Sequence, residues 1–173
     1  MKLLIALTGA SGTRLARRLL AALPPSIERH LIASRGALEV LAREEGVKLY
    51  DSKNLAAGPA SGSFGIDAMI VTPCSMNTLA KIAVGIADTL PTRAASVMLK
   101  ERRPLILAPR EMPFSTIALE HMAKLSQMGV IIAPPVLGYY AGVRSLAQME
   151  SFIVGKWLDL LSIEHNLYQR WQG

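Results

Sequence analysis

Arg110 and Glu111 stand directly after the apolar run 105–108, which has the composition of a buried strand. In a parallel α/β sheet, ligands bind beyond the carboxyl ends of the strands. An arginine at such a position can hold a phosphate through two parallel hydrogen bonds, and a carboxylate beside it can orient that arginine or move a proton. The pair therefore predicts an anion site at which a proton can be transferred.

A second group of cations precedes the same run of residues: Lys100, Arg102 and Arg103. Arg93 lies seven residues before Lys100, so a helix would place both cations on one face, two turns apart. Two cations on one face can hold a phosphate. The plain alternative is a solvated face whose charges complement the helix dipole, and we prefer it for Arg102 and Arg103.

The turn Thr8–Gly12 follows the first apolar run of the chain. Its glycines permit a tight turn, and the helix after it would offer unpaired amides to an anion. The pattern is not G-x-G-x-x-G, which counts against a nicotinamide dinucleotide and leaves a mononucleotide phosphate or a flavin. Taken alone, Ser11 indicates a helix cap rather than a catalytic residue.

A second turn, Pro73–Thr78, follows another apolar run and opens a predicted helix. It presents two hydroxyls and an amide to the same end of the sheet, although for this turn taken alone we slightly favour a simple capping turn. Cys74 has no histidine near it in sequence to activate it, so we interpret it as a thiol that lines a wall rather than as a nucleophile.

Two further polar residues have both a ligand-binding and a structural interpretation. Lys156 lies at the edge of the apolar stripe of the last predicted helix, where a lysine that extends to solvent is a commoner explanation than an anion ligand. Tyr140 follows the apolar run 130–133, and its phenol either binds a ligand oxygen or packs. The three histidines lack the spacing of a metal site or a triad, and we interpret them as structural. They are His30, His121 and His165.

The elements that must position these residues follow from hydrophobic periodicity. Strands are predicted at 2–7, 30–33, 68–71, 105–108 and 130–133, and helices at 12–23, 35–45, 75–84, 90–101, 115–128 and 145–163. This alternation predicts an α/β fold, a parallel sheet with helices on both faces in a three-layer αβα arrangement. The segment 51–64 has no period, and long loops of this kind often cover ligands.

Composition narrows the class of protein further. The chain of 173 residues is long enough for one domain with a real core, and its single cysteine excludes an intramolecular disulfide and fits a reducing cytoplasm. Hydrophobic residues make up 51% of the chain without a run of about twenty, which argues against a membrane span and suggests large subunit interfaces. The net charge of +6 fits an anionic ligand, but the 5% of aromatic residues leaves little for stacking on nucleic-acid bases.

Six short motifs follow one another in a fixed order: Thr8–Gly12, Ala60–Ser63, Pro73–Thr78, Arg93–Ala95, Leu99–Leu105 and Pro109–Glu111. In this order they resemble the UbiX family of flavin prenyltransferases, from residue 2 to Trp171. The resemblance implies a Rossmann-like flavoprotein fold, a cytoplasmic homododecamer and no metal. It also implies transfer of a dimethylallyl group from dimethylallyl monophosphate to N5 and C6 of reduced FMN. The product, prenylated FMN, would serve UbiD-type decarboxylases.

The resemblance also implies roles for the matching residues. FMN would be held, with the loop 61–63 close by, by Gly9, Ala10, Ser11, Ser34, Ser75, Met76, Asn77, Thr78 and Arg110. The prenyl phosphate would be held, partly by neighbouring subunits, by Tyr140, Lys156, Arg93, Lys100, Arg110 and Glu111. Catalytic roles would fall to Ser11, Glu44, Glu111 and Lys100, of which Ser11 and Glu44 match residues that assist proton transfer during ring closure. A single domain, 1–163, would be followed by a tail, 164–173, whose Trp171 closes over the prenyl group.

Two alternatives to a flavin prenyltransferase stay open, one of them because of a departure from the family. Lys156 stands where most members have arginine, which keeps the charge but loses the two-pronged geometry. A flavin-binding protein without catalysis is therefore one alternative. The other is a flavin-dependent cysteine decarboxylase of the phosphopantothenoylcysteine type, although the chain lacks the early histidine and the Pro-Ala-Ser-Ala-Asn-Thr turn of that family.

Overall fold

The sheet is parallel throughout and contains six strands among the residues that the computed structural model describes, 1–9, 13–34, 37, 46–139 and 142–170. The strands are β1 (Lys2–Ala6), β2 (Glu28–Ala33), β3 (Val47–Asp51), β4 (Ala68–Cys74), β5 (Leu105–Pro109) and β6 (Ile131–Ile132). Their order is β3-β2-β1-β4-β5-β6. The α/β prediction is therefore confirmed.

Helices cover both faces of this sheet. They are α1 (Thr13–Ala22), α2 (Met76–Val84), α3 (Leu90–Lys100), α4 (Thr116–Gln127) and α5 (Leu146–Leu160). On one face α1 and α5 pack around Ile5, Leu19 and Trp157. On the other face α2, α3 and α4 pack on Leu4 and Leu107. The expected three-layer αβα arrangement is confirmed.

The strand order places a crossover point between β1 and β4. β1 pairs with β2 on one side and with β4 on the other, so the chain moves outward first in one direction and then in the other. The helices that follow these two strands, α1 and α2, lie on opposite faces of the sheet. In sheets of this kind the crevice beyond the carboxyl ends of two such strands is where ligands bind.

The region between β2 and β4 differs most from the prediction. β3 was missed because it is an edge strand whose half-buried residues carry little hydrophobic signal. That the segment 51–64 covers a ligand stays a prediction; within the chain, Pro59 is buried and Phe64 packs against the core. The predicted helix 35–45 lies outside the described residues, apart from residue 37. None of the described helices is both long enough and apolar enough to cross a lipid bilayer.

Trp157 fixes α5 to the sheet. Only 1% of the residue is exposed, and its indole Nε1 donates a hydrogen bond to the carbonyl oxygen of Ala133 at 3.0 Å. The same helix also holds α1, since Arg14 Nε lies 2.7 Å from Glu150 Oε1 and Arg18 Nη2 donates to Ser151 Oγ at 2.6 Å. The position of α5 is therefore set by contacts at its buried face and near its beginning.

His30 belongs to β2 and is fully buried. Its Nδ1 lies 2.9 Å from the Tyr50 hydroxyl, and its Nε2 lies 3.1 Å from Glu28 Oε1. A neutral ring with the proton on Nε2 satisfies both partners. Burial lowers the pKa of His30 below its ordinary value of 6.5, although the nearby Glu28 carboxylate opposes the shift. The structural interpretation of this histidine is confirmed.

We expect the folded state to lose stability as the pH falls below 6.5, the ordinary pKa of histidine. Unfolded His30 takes up a proton more readily than folded His30, so its stabilising contribution is complete above the unfolded pKa and is lost as the pH falls through the lower folded pKa. Urea unfolding between about pH 8 and pH 5 measures the effect. His30→Gln should flatten the profile, and His121→Gln, on α4, should leave it unchanged. A His30→Gln profile as steep as that of the wild type would contradict this assignment.

Candidate functional site

Thr8 joins the two strand ends at the crossover point. Its Oγ1 donates to the carbonyl oxygen of Pro73 at 3.2 Å and accepts a hydrogen bond from the amide of Ser75 at 3.1 Å. Its own amide also donates to the Pro73 carbonyl, at 3.1 Å. One side chain therefore sets the distance between the ends of β1 and β4. The sequence reasoning missed this residue, although a hydroxyl directly after a strand was a usable signal.

Gly9 lies close to the Pro73 ring. A Cβ atom at this position would lie 3.3 Å from Pro73 Cγ, which is tighter than an ordinary contact. The missing side chain lets the chain after β1 approach the end of β4 closely. A planar ligand group that approaches the backbone here meets no side chain at this position.

Ser75 caps α2. Its position beside the crevice is set by the backbone, because it directly follows β4. Its Oγ accepts a hydrogen bond from the Thr78 amide at 3.2 Å and donates to Thr78 Oγ1 at 2.9 Å. The capping interpretation of this turn is confirmed. The amides of Met76 and Asn77 belong to the first turn, so they have no acceptor within the helix and carry the positive end of its dipole. This arrangement fits the phosphate of a mononucleotide.

Replacing Ser75 by alanine should weaken both α2 and phosphate binding. We expect the variant to lose about 1 kcal/mol of unfolding free energy, the usual effect of a lost cap. Ser145→Ala is a matched control, because Ser145 Oγ caps α5 with a bond of the same length, 3.2 Å to the Gln148 amide. Urea unfolding and flavin titration separate the two effects. Both variants should lose stability, but only Ser75→Ala should lose flavin affinity, and equal flavin affinities would contradict a ligand role for this turn.

Cys74 is an inert part of the wall. The residue is 1% exposed, and burial raises the pKa of its thiol to about 12, so the thiol is protonated at neutral pH. A thiol without thiolate character is a poor nucleophile. The interpretation of Cys74 as a wall residue is supported.

The charged pair Arg110 and Glu111 follows β5 at the same end of the sheet as Gly9 and Ser75. Both side chains are exposed, and Glu111 Oε1 accepts a hydrogen bond from the Met112 amide at 3.1 Å. Ser34 is exposed at the end of β2, on the other side of β1. The structure thus brings Gly9, Ser34, the Ser75 turn and Arg110 to adjacent strand ends.

Lys100 lies at the opposite end of the sheet, where the parallel strands begin. It ends α3 before β5 begins, and its Nζ lies 2.7 Å from Glu101 Oε1. Arg110 and Glu111 follow the end of the same strand, and five strand residues at about 3.3 Å each span roughly 17 Å. A single chain therefore does not bring Lys100 into one pocket with Arg110 and Glu111. The predicted pocket needs a second copy of the chain.

The loop 61–63 also lies at the end of the sheet where the strands begin. Arg103 Nη1 donates to the carbonyl oxygens of Gly62 at 3.2 Å and Ile66 at 3.0 Å, just before β4 begins. That this loop lies close to the flavin stays a prediction, and it would need a flavin held by a second chain. Arg103 therefore has a structural role, but it ties the loop to the start of β4 rather than lying on the solvated face that we preferred for it.

The remaining predicted residues are dispersed or lie outside the described part of the chain. Arg93 is exposed in the first half of α3, and Lys156 is exposed on α5, with its Nζ 3.8 Å from Asp159 Oδ2. The roles of Ala10, Ser11, Glu44, Tyr140 and Trp171 stay predictions, because these residues are not among those described. Of the described residues, no three histidine, cysteine or acidic side chains are grouped as in a metal site.

The chain matches known proteins over its whole length. The Flavoprotein family model matches residues 1–158. Flavin prenyltransferase UbiX of Campylobacter jejuni is 51% identical, with 100% of each chain covered. The corresponding protein of Helicobacter pylori strain 26695 is 46% identical, with 99% of this chain and 98% of the other covered.

Two solved structures have the same fold at high similarity. One, from Escherichia coli O157:H7, is described as a dodecameric FMN-dependent UbiX-like decarboxylase; it has a TM-score of 0.91 and 42% identity, with 100% of each chain covered. The other is AnUbiX in complex with FMN and dimethylallyl pyrophosphate, with a TM-score of 0.90 and 38% identity over 99% of this chain and 97% of that chain.

Proposed function

The chain belongs to the UbiX family of flavin prenyltransferases, and from that premise we propose that it joins the dimethylallyl group of dimethylallyl monophosphate to N5 and C6 of reduced FMN. The observation that carries the proposal is the meeting of Gly9, the Ser75 turn and Arg110 at the crossover point of the sheet. FMN is bound in one similar structure, and that structure also holds a dimethylallyl phosphate compound.

The crevice suits FMN at two points. The first amides of α2 would hold its phosphate, with the Ser75 and Thr78 hydroxyls beside them and Arg110 adding charge. The flavin would lie next to the ends of β1 and β4, where Gly9 presents backbone without a side chain. When bound, reduced FMN supplies the electron-rich ring that accepts the prenyl group. Ala10, Ser11 and Ser34 would complete the binding site.

The cations would assist departure of the phosphate. Breaking the allylic C–O bond leaves negative charge on phosphate, and fixed positive charges stabilise that change more in the transition state than in the ground state. We assign this work to Arg93, Lys100, Arg110 and Lys156, with Tyr140 as a hydrogen-bond donor and Glu111 as the carboxylate that orients the cations. Ser11 and Glu44 would move the protons during ring closure.

The assembly belongs to the same proposal. Lys100 lies at the far end of its own sheet, so a complete phosphate pocket calls for a homo-oligomer, and the dodecamer of the similar E. coli structure is the form we propose. The enzyme would act in the cytoplasm without a metal. Its prenylated FMN would pass to a UbiD-type decarboxylase, and the tail 164–173 would close over the prenyl group.

An anaerobic incubation with reduced FMN and dimethylallyl monophosphate tests the reaction. Mass spectrometry of the released flavin should show a gain of one dimethylallyl unit. Bound FMN of unchanged mass would support a binding protein without catalysis and overturn the transferase. Decarboxylation of phosphopantothenoylcysteine by the same preparation would instead support the cysteine decarboxylase alternative.

A further inference from the structure

The carboxylate of Asp159 on α5 is the anchor of the chain's last described residues. Its Oδ1 lies 3.2 Å from His165 Nε2 and accepts a hydrogen bond from Arg170 Nη2 at 2.8 Å. Its Oδ2 accepts a short hydrogen bond from the Tyr168 hydroxyl. Three residues of the tail therefore converge on one acidic side chain.

The surface of α5 is shaped to receive these residues. A Cβ atom at Gly155 would lie 2.6 Å from Tyr168 Cδ1 and 2.8 Å from His165 Cε1, so only glycine leaves room for the two rings. The Tyr168 ring also packs on Phe152, with a centroid separation of 5.1 Å. The tail is consequently held by packing as well as by the carboxylate.

Lys156 faces the same carboxylate oxygen as Tyr168. Its Nζ lies 3.8 Å from Asp159 Oδ2, within ion-pair range but beyond hydrogen-bond distance, and its side chain is 52% exposed. Partial burial raises the pKa of Asp159, but hydrogen bonds from Tyr168 and Arg170 outweigh it, so the pKa lies below its ordinary value. The group is therefore a carboxylate that pairs with Lys156 only at long range.

We propose that the Asp159 carboxylate competes with the phosphate of the prenyl donor for Lys156, and that the Tyr168 hydroxyl, by occupying Oδ2, leaves the Lys156 ammonium available to that phosphate. The proposal rests on the function proposed above. It differs from simple anchoring of the tail in one respect: the carboxylate and the phosphate compete for Lys156, and the position of the tail decides between them.

The physical reason lies in the number of acceptor sites. A carboxylate oxygen accepts about two hydrogen bonds, and a hydroxyl bound to Oδ2 withdraws charge from that oxygen. Without the hydroxyl, Oδ2 would regain its full basicity next to a lysine three residues earlier on the same helix, and the two would close to a hydrogen-bonded ion pair. A lysine paired in this way binds an added phosphate less tightly.

Tyr168→Phe tests this competition directly. We expect the Michaelis constant for dimethylallyl monophosphate to rise about three- to tenfold while kcat changes less than about twofold, because one partly exposed ion pair contributes on that scale. Adding Asp159→Asn to Tyr168→Phe should restore the wild-type Michaelis constant, since no carboxylate then competes for Lys156. Tyr50→Phe, which removes the hydroxyl that bonds His30, is the control and should change neither constant.

Two results would overturn the proposal. A purely structural tail anchor predicts that Asp159→Asn alone raises the Michaelis constant and that the double variant is no better than Tyr168→Phe. Equal constants in all variants would remove any role for the pair. Calorimetric titration of the FMN-loaded protein with dimethylallyl monophosphate gives the same series without turnover. If the variants differ in donor affinity as expected but no prenylated flavin forms, only the transferase function is overturned. If prenylated flavin forms but all variants bind the donor equally well, only this proposal is overturned.

Discussion

Two inactive variants, Lys100→Met and Glu111→Gln, should recover prenyl transfer when they assemble together. Each change alone should abolish product, because one removes a fixed cation of the proposed phosphate pocket and the other its carboxylate. In a mixed oligomer, some sites would receive Lys100 from one chain and Glu111 from another. With equal amounts of the two chains, about a quarter of the sites would combine two intact contributions.

The geometry of the sheet is the reason for this expectation. Lys100 precedes β5 and Glu111 follows it, so the strand itself separates them within a chain. A pocket that uses both must lie between subunits. Co-expression of differently tagged chains and tandem purification gives the mixed oligomer, and flavin mass gives its activity.

A third variant supplies the control for this experiment. Arg93 and Lys100 lie on the same helix, α3, so a site that takes one of them from a subunit takes the other from the same subunit. Mixing Arg93→Met with Lys100→Met should therefore give no recovery. Verified mixed oligomers of Lys100→Met and Glu111→Gln that stay inactive would contradict a shared pocket.

Trp157→Ala should cause the largest loss of stability of any single change considered. Removing a buried tryptophan leaves a cavity that costs about 3 to 5 kcal/mol of unfolding free energy. The hydrogen bond to the Ala133 carbonyl is lost as well, so β6 loses its tie to α5. Urea unfolding at a fixed protein concentration measures the change, because oligomers unfold in a concentration-dependent way.

Two variants separate the contributions of Trp157. Trp157→Phe keeps most of the apolar volume and loses the hydrogen bond, so it should lose about 1 to 2 kcal/mol. Leu160→Ala changes a residue of the same helix that is 41% exposed, and it should stay within about 0.5 kcal/mol of the wild type. A Trp157→Ala variant as stable as Leu160→Ala would show that α5 is not fixed by its tryptophan.

The layers of the fold could be predicted from the sequence because each strand or helix shows its own hydrophobic pattern. The apolar runs that became β1, β4 and β5 are fully or almost fully buried, so they are continuous in hydrophobic residues. β3 was not readable, because an edge strand with an exposed Lys48 carries neither a continuous run nor a clean alternation. β6 was predicted too long, because the apolar residues on either side of its two residues continue beyond the paired backbone.

The candidate site was readable only in part, because proximity in sequence is not proximity in a sheet. Gly9, Ser75 and Arg110 follow strands, and strand order brings such residues together. Lys100 is ten positions from Arg110, but it precedes β5 whereas Arg110 follows it. The two residues therefore lie at opposite ends of the sheet. The links made by Thr8 and Asp159 depend on distances between side chains of different elements, and no periodic pattern in the sequence encodes them.

The hydrogen bonds of Thr8 have a consequence for how the crevice meets its ligand. Because one hydroxyl holds both strand ends, the opening between them has its working width before anything binds. The conformational entropy of arranging these backbones is lost during folding and not again on association. Flavin binding should then resemble insertion into a preorganised slot, with affinity set by contacts rather than by the ordering of the loop that receives it.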